Sequence, residues 1–365
     1  MKITMLSPFS ARAAGMNRLY PLGTNTGMDV DFILPKQDKY GISQEDKLFY
    51  FPTERKSFLT VPIYILKAFL HLKSTKPDVV YFYKPHPFTF PPVFLYKLTH
   101  RDCITIFDCD EWEPATLRDN DEPYYKQLFM QFLSRFCFWF SDKIVYTNEY
   151  IKEDKIPERY WSKCLYLPNA VDTKKFKLLK IRKHKGFNVF LVSYLHKIKH
   201  ILLIVDTVDK AKSNIPNLKC HIIGEGPRRW ELESMIDDKD LQEYFVFHGK
   251  VPSLQDVLSL ADVIIVPYSD MEGMHYQCNI KIFEFMAMGL PIIATDIGEI
   301  GKYLEHGDAG YVVKPDADEL AMTLEFVYMC REKALQKAVF AREISVGKNN
   351  WKVRAEKLEA MINER

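Results

Sequence analysis

The chain has 365 residues, of which 47% are hydrophobic and 27% are charged, and its formal net charge is +2. This balance is typical of a globular protein with a large core and room for two domains, and it argues against a disordered chain. The seven cysteines are scattered without a Cys-x-x-Cys spacing, which argues against a disulfide framework or a zinc site and favours a reducing, cytoplasmic setting.

The first half of the chain alternates short β-branched or aromatic runs with helical stretches. The clearest helices are predicted at 58–73 and 123–140. Strands are predicted at 3–6, 79–83, 104–107, 144–146 and 164–167. Alternating strands and helices of these lengths predict a parallel sheet with right-handed crossovers.

The second half repeats this plan. Strands are predicted at 189–192, 220–223, 245–248, 263–266, 292–295 and 311–313. Helices are predicted at 199–213, 228–236, 253–260, 317–346 and 351–362.

The fold class is therefore α/β, with two doubly wound Rossmann-like domains expected to face each other across a cleft. The predicted domains are 1–180 and 181–350, and the Lys-rich segment 174–186 is taken as the linker region. The C-terminal residues 351–365 could pack back on the first domain. Ligands of open α/β sheets bind beyond the carboxyl ends of the strands, which places the expected site in that cleft.

The most informative segment is 279–296. Asn279 is a good N-cap, and Gly289 together with Pro291 ends a short helix before the next strand. The N-terminus of such a helix attracts an anion, and Lys281 and Glu284 share one face. A phosphate at the helix start and a ribose near Glu284 are one interpretation. The other is an amphipathic helix on a sheet, with both charged side chains solvated.

Several motifs follow one another in a fixed order. They are Leu-Pro-Asn-Ala-Val-Asp from Leu167, Gly-Glu-Gly-Pro from Gly224, Phe-His-Gly from Phe247, the strand from Asp262 to Pro267, and Phe-Glu-Phe-Met-Ala-Met-Gly-Leu-Pro from Phe283. Together they resemble family 4 of the glycosyltransferases, the retaining enzymes of the GT-B architecture. Ala170 replaces the usual glycine of the first motif. The second motif has Arg229 where a dinucleotide-binding fingerprint has its third glycine.

The resemblance implies transfer of a sugar from a nucleotide-diphosphate donor, without a metal or another cofactor. Lys199 matches the lysine that grips the diphosphate in the family and is expected to be catalytic. Tyr194 stands where the family has an arginine, so Lys197 or Arg12 is expected to compensate, or donor binding is weaker.

Other donor contacts are implied by the same resemblance. Glu284 matches the glutamate that binds the ribose, whereas Tyr276 stands in place of an earlier glutamate. The backbone N–H groups of Asn279 and Ile280 are expected to hold phosphate, and the backbone around Val251 is expected to hold the base.

Two residues of the first domain complete the expected site. Gly15 matches the glycine of a loop that approaches the donor, where only a residue without Cβ fits; the alternative is a simple helix-start glycine. Asp108 stands near the position of a histidine beside the transferred sugar. It is expected to orient donor hydroxyls or accept a proton, unless the acidic segment 108–113 is purely structural.

The acceptor is expected to be a hydroxyl of a glycan or of a lipid-linked molecule, in cell-surface polysaccharide or glycolipid synthesis. Residues 1–180 hold 26 Lys and Arg against 21 Asp and Glu. With the aromatic helices at 58–73 and 124–140, this excess allows peripheral membrane contact; core packing is the alternative for helices that are apolar nearly all round. No Lys/Arg stripe or motif indicates nucleic-acid binding, and no apolar run is long enough to span a bilayer.

Two rival functions are open. The missing arginine and glutamate at positions 194 and 276 favour a GT-B-fold binding or scaffold protein that has lost transfer. A sugar-nucleotide epimerase of similar build is the other, although its acid and base carboxylates cannot be placed on this sequence.

Overall fold

The structure is a computed structural model that describes residues 1–8, 16–34, 47–50, 60–195 and 198–364. Its contacts divide the chain into two compact units. The first unit comprises Met1–Ala170, Tyr276–Cys278 and Trp351–Arg365, and the second comprises Val171–His275 and Asn279–Asn350.

The first unit is built on a parallel sheet of seven strands in the order β3-β2-β1-β4-β5-β6-β7. The strands are β1 Lys2–Leu6, β2 Asp29–Leu34, β3 Lys47–Tyr50, β4 Val79–Tyr83, β5 Ile104–Cys109, β6 Lys143–Tyr146 and β7 Cys164–Tyr166. The helices are α1 Met16–Thr24, α2 Thr60–Thr75, α3 Phe90–Thr99, α4 Glu113–Asp119, α5 Tyr124–Phe140 and α6 Glu149–Lys155.

The central strands of this unit are apolar because they are covered on both faces. Every residue of β4 is buried, and its near-continuous apolar sequence is the pattern of a central parallel strand. The inner faces of α2, α3 and α5 contribute side chains to one core cluster with β4 and β5.

Several elements of this unit were not predicted, and β2 shows why. Asp31 interrupts its apolar run, yet the carboxylate is buried and satisfied: it accepts a hydrogen bond from the Thr4 hydroxyl and lies 2.9 Å from Nε2 of His71. A buried carboxylate inside a strand thus has polar partners that the local sequence pattern does not reveal. The elements not predicted are β2, β3, α3, α4 and α6.

The second unit is built on a parallel sheet of six strands in the order β10-β9-β8-β11-β12-β13. The strands are β8 Phe187–Val192, β9 Leu218–Ile223, β10 Phe245–Gly249, β11 Val263–Val266, β12 Ile292–Thr295 and β13 Tyr311–Val313. The helices are α7 Ile198–Ala211, α8 Arg229–Asp238, α9 Leu254–Leu258, α10 Glu272–His275, α11 Ile280–Met288, α12 Ile300–Tyr303, α13 Ala317–Met329 and α14 Arg331–Gly347. All six predicted strands are present.

The strand order of the second unit reverses between β8 and β11. In a doubly wound sheet this reversal leaves a crevice at the carboxyl ends of the two central strands, and ligands bind there. The predicted α/β fold with two Rossmann-like sheets is confirmed, and the topology places a candidate site at the ends of β8 and β11.

The single helix predicted at 317–346 is wrong, because the chain breaks into α13 and α14 at Cys330, whose φ of −118° and ψ of 49° are not helical. The two helices pack against different partners: α13 packs on α7, and α14 packs on α11. One straight helix could not make both contacts.

The chain continues after α14 into a last helix, α15 Trp351–Asn363, which packs on α1 within the first unit. All seven cysteines are free thiols. Among the residues that the structure describes, no helix has the length and apolar character needed to cross a membrane.

Candidate functional site

The helix α11 begins and ends as the sequence predicts. The Asn279 side chain accepts a hydrogen bond of 2.9 Å from the N–H of Lys281, which is an N-cap contact. Gly289 adopts the left-handed conformation, with φ of 69°, at the C-terminal cap. The helix therefore has a fixed start, and its positive end is directed toward the carboxyl edge of the sheet.

A pocket lies at that edge, at the reversal of strand order in the second unit. It opens to solvent, and the space between its walls, counted together with that open part, is about 390 Å³. Side chains and backbone from β8, from β11 and the residues that follow it, and from the start of α11 line it, among them Val192, Ser193, Pro267, Tyr268, Asn279 and Lys281. The N-terminus of α11 thus opens into a concave surface, which is the arrangement that binds anions in this class of fold.

Lys281 brings a cation into this pocket. Its Nζ donates a 3.1 Å hydrogen bond to the carbonyl oxygen of Val192, the last residue of β8. Burial lowers the pKa of Lys281 below its usual value, and the nearby Glu284 carboxylate partly opposes that shift. A lysine held in this way is ready to neutralise an incoming anion.

Glu284 lies one turn further along α11. Burial raises the pKa of its carboxyl from the usual value to about 7, while Lys281 and Lys175 act in the opposite direction. Its charge therefore changes near neutral pH, and a ligand that donates hydrogen bonds would favour the charged form.

The Gly-Glu-Gly motif is explained by a close approach of two backbone segments within the second unit. A Cβ on Gly224, whose φ is +133°, would lie 1.8 Å from the carbonyl oxygen of Ser193, and a Cβ on Gly226 would lie 2.3 Å from that of Leu195. The N–H of Leu195 donates to the carbonyl of Glu225 at 3.0 Å. The glycines thus fix the loop that follows β8, which carries Tyr194.

The other predicted donor residues of this unit have the following places. Tyr194 is exposed in the loop after β8, and Val251 follows the end of β10. Lys199 is in the first turn of α7, although its side chain lies outside the described part of the chain. The loop after β8 and the starts of α7 and α11 thus belong to one carboxyl edge of the sheet.

In the first unit, Asp108 is fully buried near the end of β5. Its Oδ2 accepts a 2.8 Å hydrogen bond from Nε of Arg18 and another of 2.5 Å from the hydroxyl of Tyr81, and its Oδ1 lies 3.1 Å from Nη2 of Arg18. Burial alone would lower the pKa of Arg18, but the Asp108 carboxylate holds it above its usual value. The two side chains form a buried ion pair.

Arg18 also reaches the Pro-Asn motif. Its Nη1 donates to Oδ1 of Asn169 at 3.2 Å, and Nδ2 of Asn169 donates to the carbonyl of Cys278 at 2.6 Å. The motif residue thus connects a buried ion pair to the segment Tyr276–Cys278. The predicted Gly15 lies outside the described residues, as do Arg12 and Lys197.

Tyr276, at the position of the missing glutamate, is buried in the first unit. Its hydroxyl donates a 2.9 Å hydrogen bond to Oδ2 of Asp154, and Nζ of Lys155 lies 4.7 Å from its ring centroid. These contacts anchor the segment to α6, so the side chain serves the packing of that unit.

The acidic residues after β5 surround one buried lysine. Nζ of Lys84 binds the carboxylates of Glu111 and Glu113 and lies 3.6 Å from Oδ1 of Asp110. Burial raises the pKa of Asp110 to about 6 and that of Glu113 to about 7, and Lys84 opposes both shifts. Within the described ranges, no group of three or more His, Cys, Asp or Glu side chains is placed to hold a metal ion.

Two residues of these sites were missed by sequence reasoning. In the sequence analysis Lys281 is treated only as a neighbour of Glu284. The available signal was its position in the first turn of the helix, three residues before that glutamate on the same face. Arg18 had no signal, because its partners Asp108 and Asn169 are far away in sequence. Only the fold brings them together.

Comparison with known proteins gives the same resemblance as the sequence motifs. A profile of the family described as "Glycosyl transferases group 1" matches residues 186–329. The chain is 25% identical over 121 residues to N-acetyl-alpha-D-glucosaminyl L-malate synthase of Bacillus anthracis, which is 33% of this chain and 30% of the relative. It is 24% identical over 218 residues to the GDP-mannose-dependent alpha-(1-6)-phosphatidylinositol monomannoside mannosyltransferase of Mycolicibacterium smegmatis, which is 55% and 56% of the two chains.

The fold is also similar to that of HepE from Anabaena, solved in complex with UDP, with a TM-score of 0.79, 14% identity and 100% coverage of both chains. The same neighbour has been solved with UDP-glucose. The alignments with the two curated relatives thus span only part of their length, whereas the fold matches over the whole chain. Residues 186–329 thus match the glycosyl transferases group 1, and the fold of the chain is similar to that of the GT-B glycosyltransferases.

Proposed function

We propose that this protein is a retaining glycosyltransferase that moves a sugar from a nucleotide-diphosphate donor to a hydroxyl of a glycan or lipid-linked acceptor. The observation that carries the proposal is the pocket at the ends of β8 and β11, into which the start of α11 opens with the half-buried side chain of Lys281. A diphosphate is the ligand that such a combination of amide donors and cation favours.

In this proposal the diphosphate binds the N–H groups of Asn279 and Ile280. The N–H of Lys281 is already bound by the Asn279 side chain, so the phosphate uses the amides that precede it. Lys281 and Lys199 then neutralise the charge that develops on the leaving diphosphate, and no metal is required. Lysine at these places also supplies the charge that Tyr194 lacks.

Glu284 binds the ribose in this proposal. A carboxylate accepts two hydroxyl donors at once, and Glu284 lies one turn after the residues that hold phosphate. The base lies near Val251, at the end of β10.

The chemistry follows from retention. The acceptor hydroxyl attacks on the face from which the diphosphate leaves, and the leaving phosphate oxygen accepts the hydroxyl proton. The protein then supplies position and charge stabilisation instead of a nucleophile. Asp108 acts here by holding Arg18 in place, because both of its oxygens are occupied by Arg18 and Tyr81.

The named relatives support this class of reaction. One transfers mannose from a GDP donor to a phosphatidylinositol mannoside, by its name, and HepE binds UDP. Others are named for amylovoran and colanic acid biosynthesis. We therefore propose a role in the synthesis of a cell-surface polysaccharide or glycolipid, in the cytoplasm.

The experiment is a thermal-shift screen of the purified protein with UDP, GDP, ADP, TDP and their sugar conjugates, with and without magnesium. A ligand that binds the native state raises the midpoint of unfolding. We expect a rise with one base only, unchanged by magnesium and reduced in Glu284→Gln. Radiolabelled sugar release with that donor, lost in Lys199→Ala, then demonstrates turnover. If none of these nucleotides raises the midpoint of unfolding, the proposal is overturned.

A second candidate is a GT-B-fold protein that binds a nucleotide sugar without transfer. The observation that favours it is Tyr276, whose side chain is committed to Asp154 and Lys155 where the family has a glutamate. It predicts a thermal shift with a nucleotide sugar but neither hydrolysis nor transfer of the sugar. Any turnover above that of Lys199→Ala excludes it.

A further inference from the structure

Three residues, Tyr276–Cys278, pack in the first unit although the chain on either side of them belongs to the second unit, with His275 before them and Asn279 after them. They are called here the crossing segment. Asn279 and Ile280, whose N–H groups are proposed to hold the diphosphate, follow this segment directly in the chain. Any contact that fixes the crossing segment therefore acts next to the phosphate-binding amides.

The last residue of the crossing segment, Cys278, is held by Asn169. Nδ2 of Asn169 donates a 2.6 Å hydrogen bond to the carbonyl oxygen of Cys278, and its N–H donates to Sγ of Cys278 at 3.2 Å. Both residues are buried, with exposures of 8% and 7%. Oδ1 of Asn169 in turn accepts a hydrogen bond from Arg18, which Asp108 holds. Because breaking buried hydrogen bonds is costly, the core of the first unit fixes the residue that precedes the phosphate amides.

The other two residues of the crossing segment have anchors of their own. Nδ2 of Asn148 donates to the carbonyl oxygen of Gln277 at 3.4 Å, and Nε2 of Gln277 donates to Oε2 of Glu111 at 3.2 Å. The hydroxyl of Tyr276 donates to Asp154. Connecting segments usually run over the surface and are mobile, so an anchor at each of three consecutive residues points to a positioning role.

The remainder of α11 depends on the second unit instead. Ile282, Phe283 and residues 285–288 are buried, and the helix packs on α14. The ring centroid of Phe283 lies 5.0 Å from that of Tyr303. A change in the crossing segment is therefore expected to displace the first turn of α11, with its phosphate amides, and to leave Glu284 in place.

We infer that Asn169 and Asn148 are positioning residues for the donor, which act through the crossing segment to fix the N–H groups of Asn279 and Ile280. The inference rests on the proposed function and deepens it, because it makes part of the first unit necessary for a ligand of the second. Donors that are already in place bind an anion without a cost of ordering, and a misplacement of about 1 Å weakens such contacts. Tyr276 fits this role, since it supplies an anchor where the family has a glutamate.

Two substitutions each remove one anchor and keep the other contacts of the residue. Asn169→Asp retains the oxygen that Arg18 binds and replaces the Nδ2 donor by an oxygen, which repels the carbonyl of Cys278. Asn148→Ser retains an N-cap for α6 but is too short to reach Gln277. The second substitution adds no charge, so an effect shared by both variants does not come from an added negative charge.

The test is calorimetric titration of the full-length protein with whichever of UDP, GDP, ADP and TDP stabilises it, and with the corresponding nucleoside. Asn169→Asp is expected to lower the affinity for the diphosphate by about tenfold. Asn148→Ser is expected to lower it by less, because the hydrogen bond that it removes is longer. The affinity for the nucleoside is expected to stay unchanged in both variants, whereas a purely structural role would lower both affinities or neither.

Hydrogen exchange of the ligand-free protein measures the anchoring itself. Mass spectrometry of peptides covering 276–284 is expected to show faster exchange in both variants, with α14 unchanged.

Asn188→Asp is the matched control. Asn188 is a buried residue at the end of β8 opposite the pocket, and its Nδ2 donates to the carbonyl oxygen of Leu260 at 3.0 Å. The substitution therefore breaks a similar hydrogen bond and adds the same charge as Asn169→Asp. It is expected to leave the exchange of residues 276–284 and the preference for the diphosphate as in the wild type.

The inference is overturned if exchange over 276–284 is the same in Asn169→Asp and in the wild type, or if exchange rises while the affinity for the diphosphate does not fall. Equal losses of affinity for diphosphate and nucleoside also overturn it. If no nucleotide binds to the wild type, the proposed function fails and the positioning role fails with it. Failure of the positioning role alone leaves nucleotide binding by the wild type intact.

Discussion

Arg18 and Asp108 form a bidentate ion pair that is almost completely buried, with side-chain exposures of 2% and 0%. Asp108 comes from β5 and Arg18 from α1, so the pair ties a helix to the centre of the first sheet. Removing two charges from water is costly, and the pair is stable only because each partner satisfies the other and because Tyr81 and Asn169 complete the hydrogen bonds.

We expect Asp108→Asn to lower the free energy of unfolding by about 3–5 kcal/mol, because it leaves the Arg18 charge buried without a counter-charge. Urea unfolding followed by tryptophan fluorescence measures the change. Replacing both partners, with Arg18→Met and Asp108→Leu, is expected to cost much less than the sum of the two single changes.

The exposed pair of Arg228 and Glu231 gives the control, since Glu231→Ala is expected to leave the unfolding midpoint unchanged. If Asp108→Asn unfolds like the wild type but has lost sugar transfer, then the predicted catalytic role of Asp108 is right and the positioning role is wrong.

The sequence predicts most of what depends on local pattern. The strands of the second unit have uninterrupted apolar runs, and α11 has both of its caps in sequence, Asn279 and Gly289, so each could be placed from a few neighbouring residues. The order of the motifs along the chain then indicates the resemblance to a glycosyltransferase family without any structure.

The failures concern residues whose state is decided by distant partners. The strand β2 was not predicted because Asp31 interrupts its apolar sequence, and the polar partners of Asp31, Thr4 and His71, are distant in sequence. Two prolines in the first turn of α3 resemble the sequence of a loop. Proline is nevertheless tolerated there, because the N–H groups of the first helical turn have no carbonyl partner within the helix. Arg18 and Asn169 act together only in the folded unit.

The backbone contact of the Gly-Glu-Gly motif can be tested by adding a single methyl group. Gly224→Ala places a Cβ 1.8 Å from the carbonyl oxygen of Ser193 at a φ that side chains avoid. We expect the free energy of unfolding to fall by about 1–3 kcal/mol or more, and nucleotide affinity to fall as the loop carrying Tyr194 shifts. Chemical denaturation and isothermal titration calorimetry give the two values.

Gly347→Ala is the matched control, since nothing lies within 4 Å of a Cβ built there. It lies at the end of α14, and the change is expected to be neutral or slightly stabilising. Equal effects of the two substitutions would show that the close approach of the two loops has no energetic role.

The half-buried Lys281 of the pocket gives a prediction about specificity for phosphate. Lys281→Met keeps the apolar stem and removes the charge, so we expect the affinity for the nucleoside diphosphate to fall by about tenfold or more while that for the nucleoside is unchanged. Calorimetric titration with both ligands measures the difference.

The same change is expected to leave the protein as stable or slightly more stable, because burial of the charged amine is unfavourable in the absence of ligand. Lys314→Met, at a lysine that is 82% exposed, controls for a general loss of positive charge in the same unit. If Lys281→Met loses affinity for the nucleoside to the same extent, then the lysine maintains the shape of the pocket and does not bind the phosphate.

Glu284 makes both stability and binding depend on pH. Burial raises the pKa of its carboxyl from 4.5 to about 7 in the native protein. Below the unfolded value both states are protonated; as the pH rises, the unfolded state loses the proton first, so the free energy of unfolding falls until the pH passes the native pKa. The loss amounts to about 3 kcal/mol at most.

Above pH about 7 we therefore expect Glu284→Gln to unfold at a higher denaturant concentration than the wild type. At low pH the two proteins are expected to be equally stable. Asp110 and Glu113 titrate in the same range, but they are present in both proteins and cancel in the difference. Denaturant titrations across this range measure it.

The affinity for the nucleotide is expected to change with pH in the opposite direction to the stability. The charged carboxylate accepts the ribose hydroxyls, so the affinity of the wild type for its nucleotide is expected to rise as the pH passes the pKa of Glu284, while that of Glu284→Gln stays flat. If the two proteins show the same pH profile, then Glu284 does not contact the ribose, whatever its effect on stability. The carboxylate is thus unfavourable to the empty protein and favourable to the complex, as expected of a binding residue whose partner is the ligand.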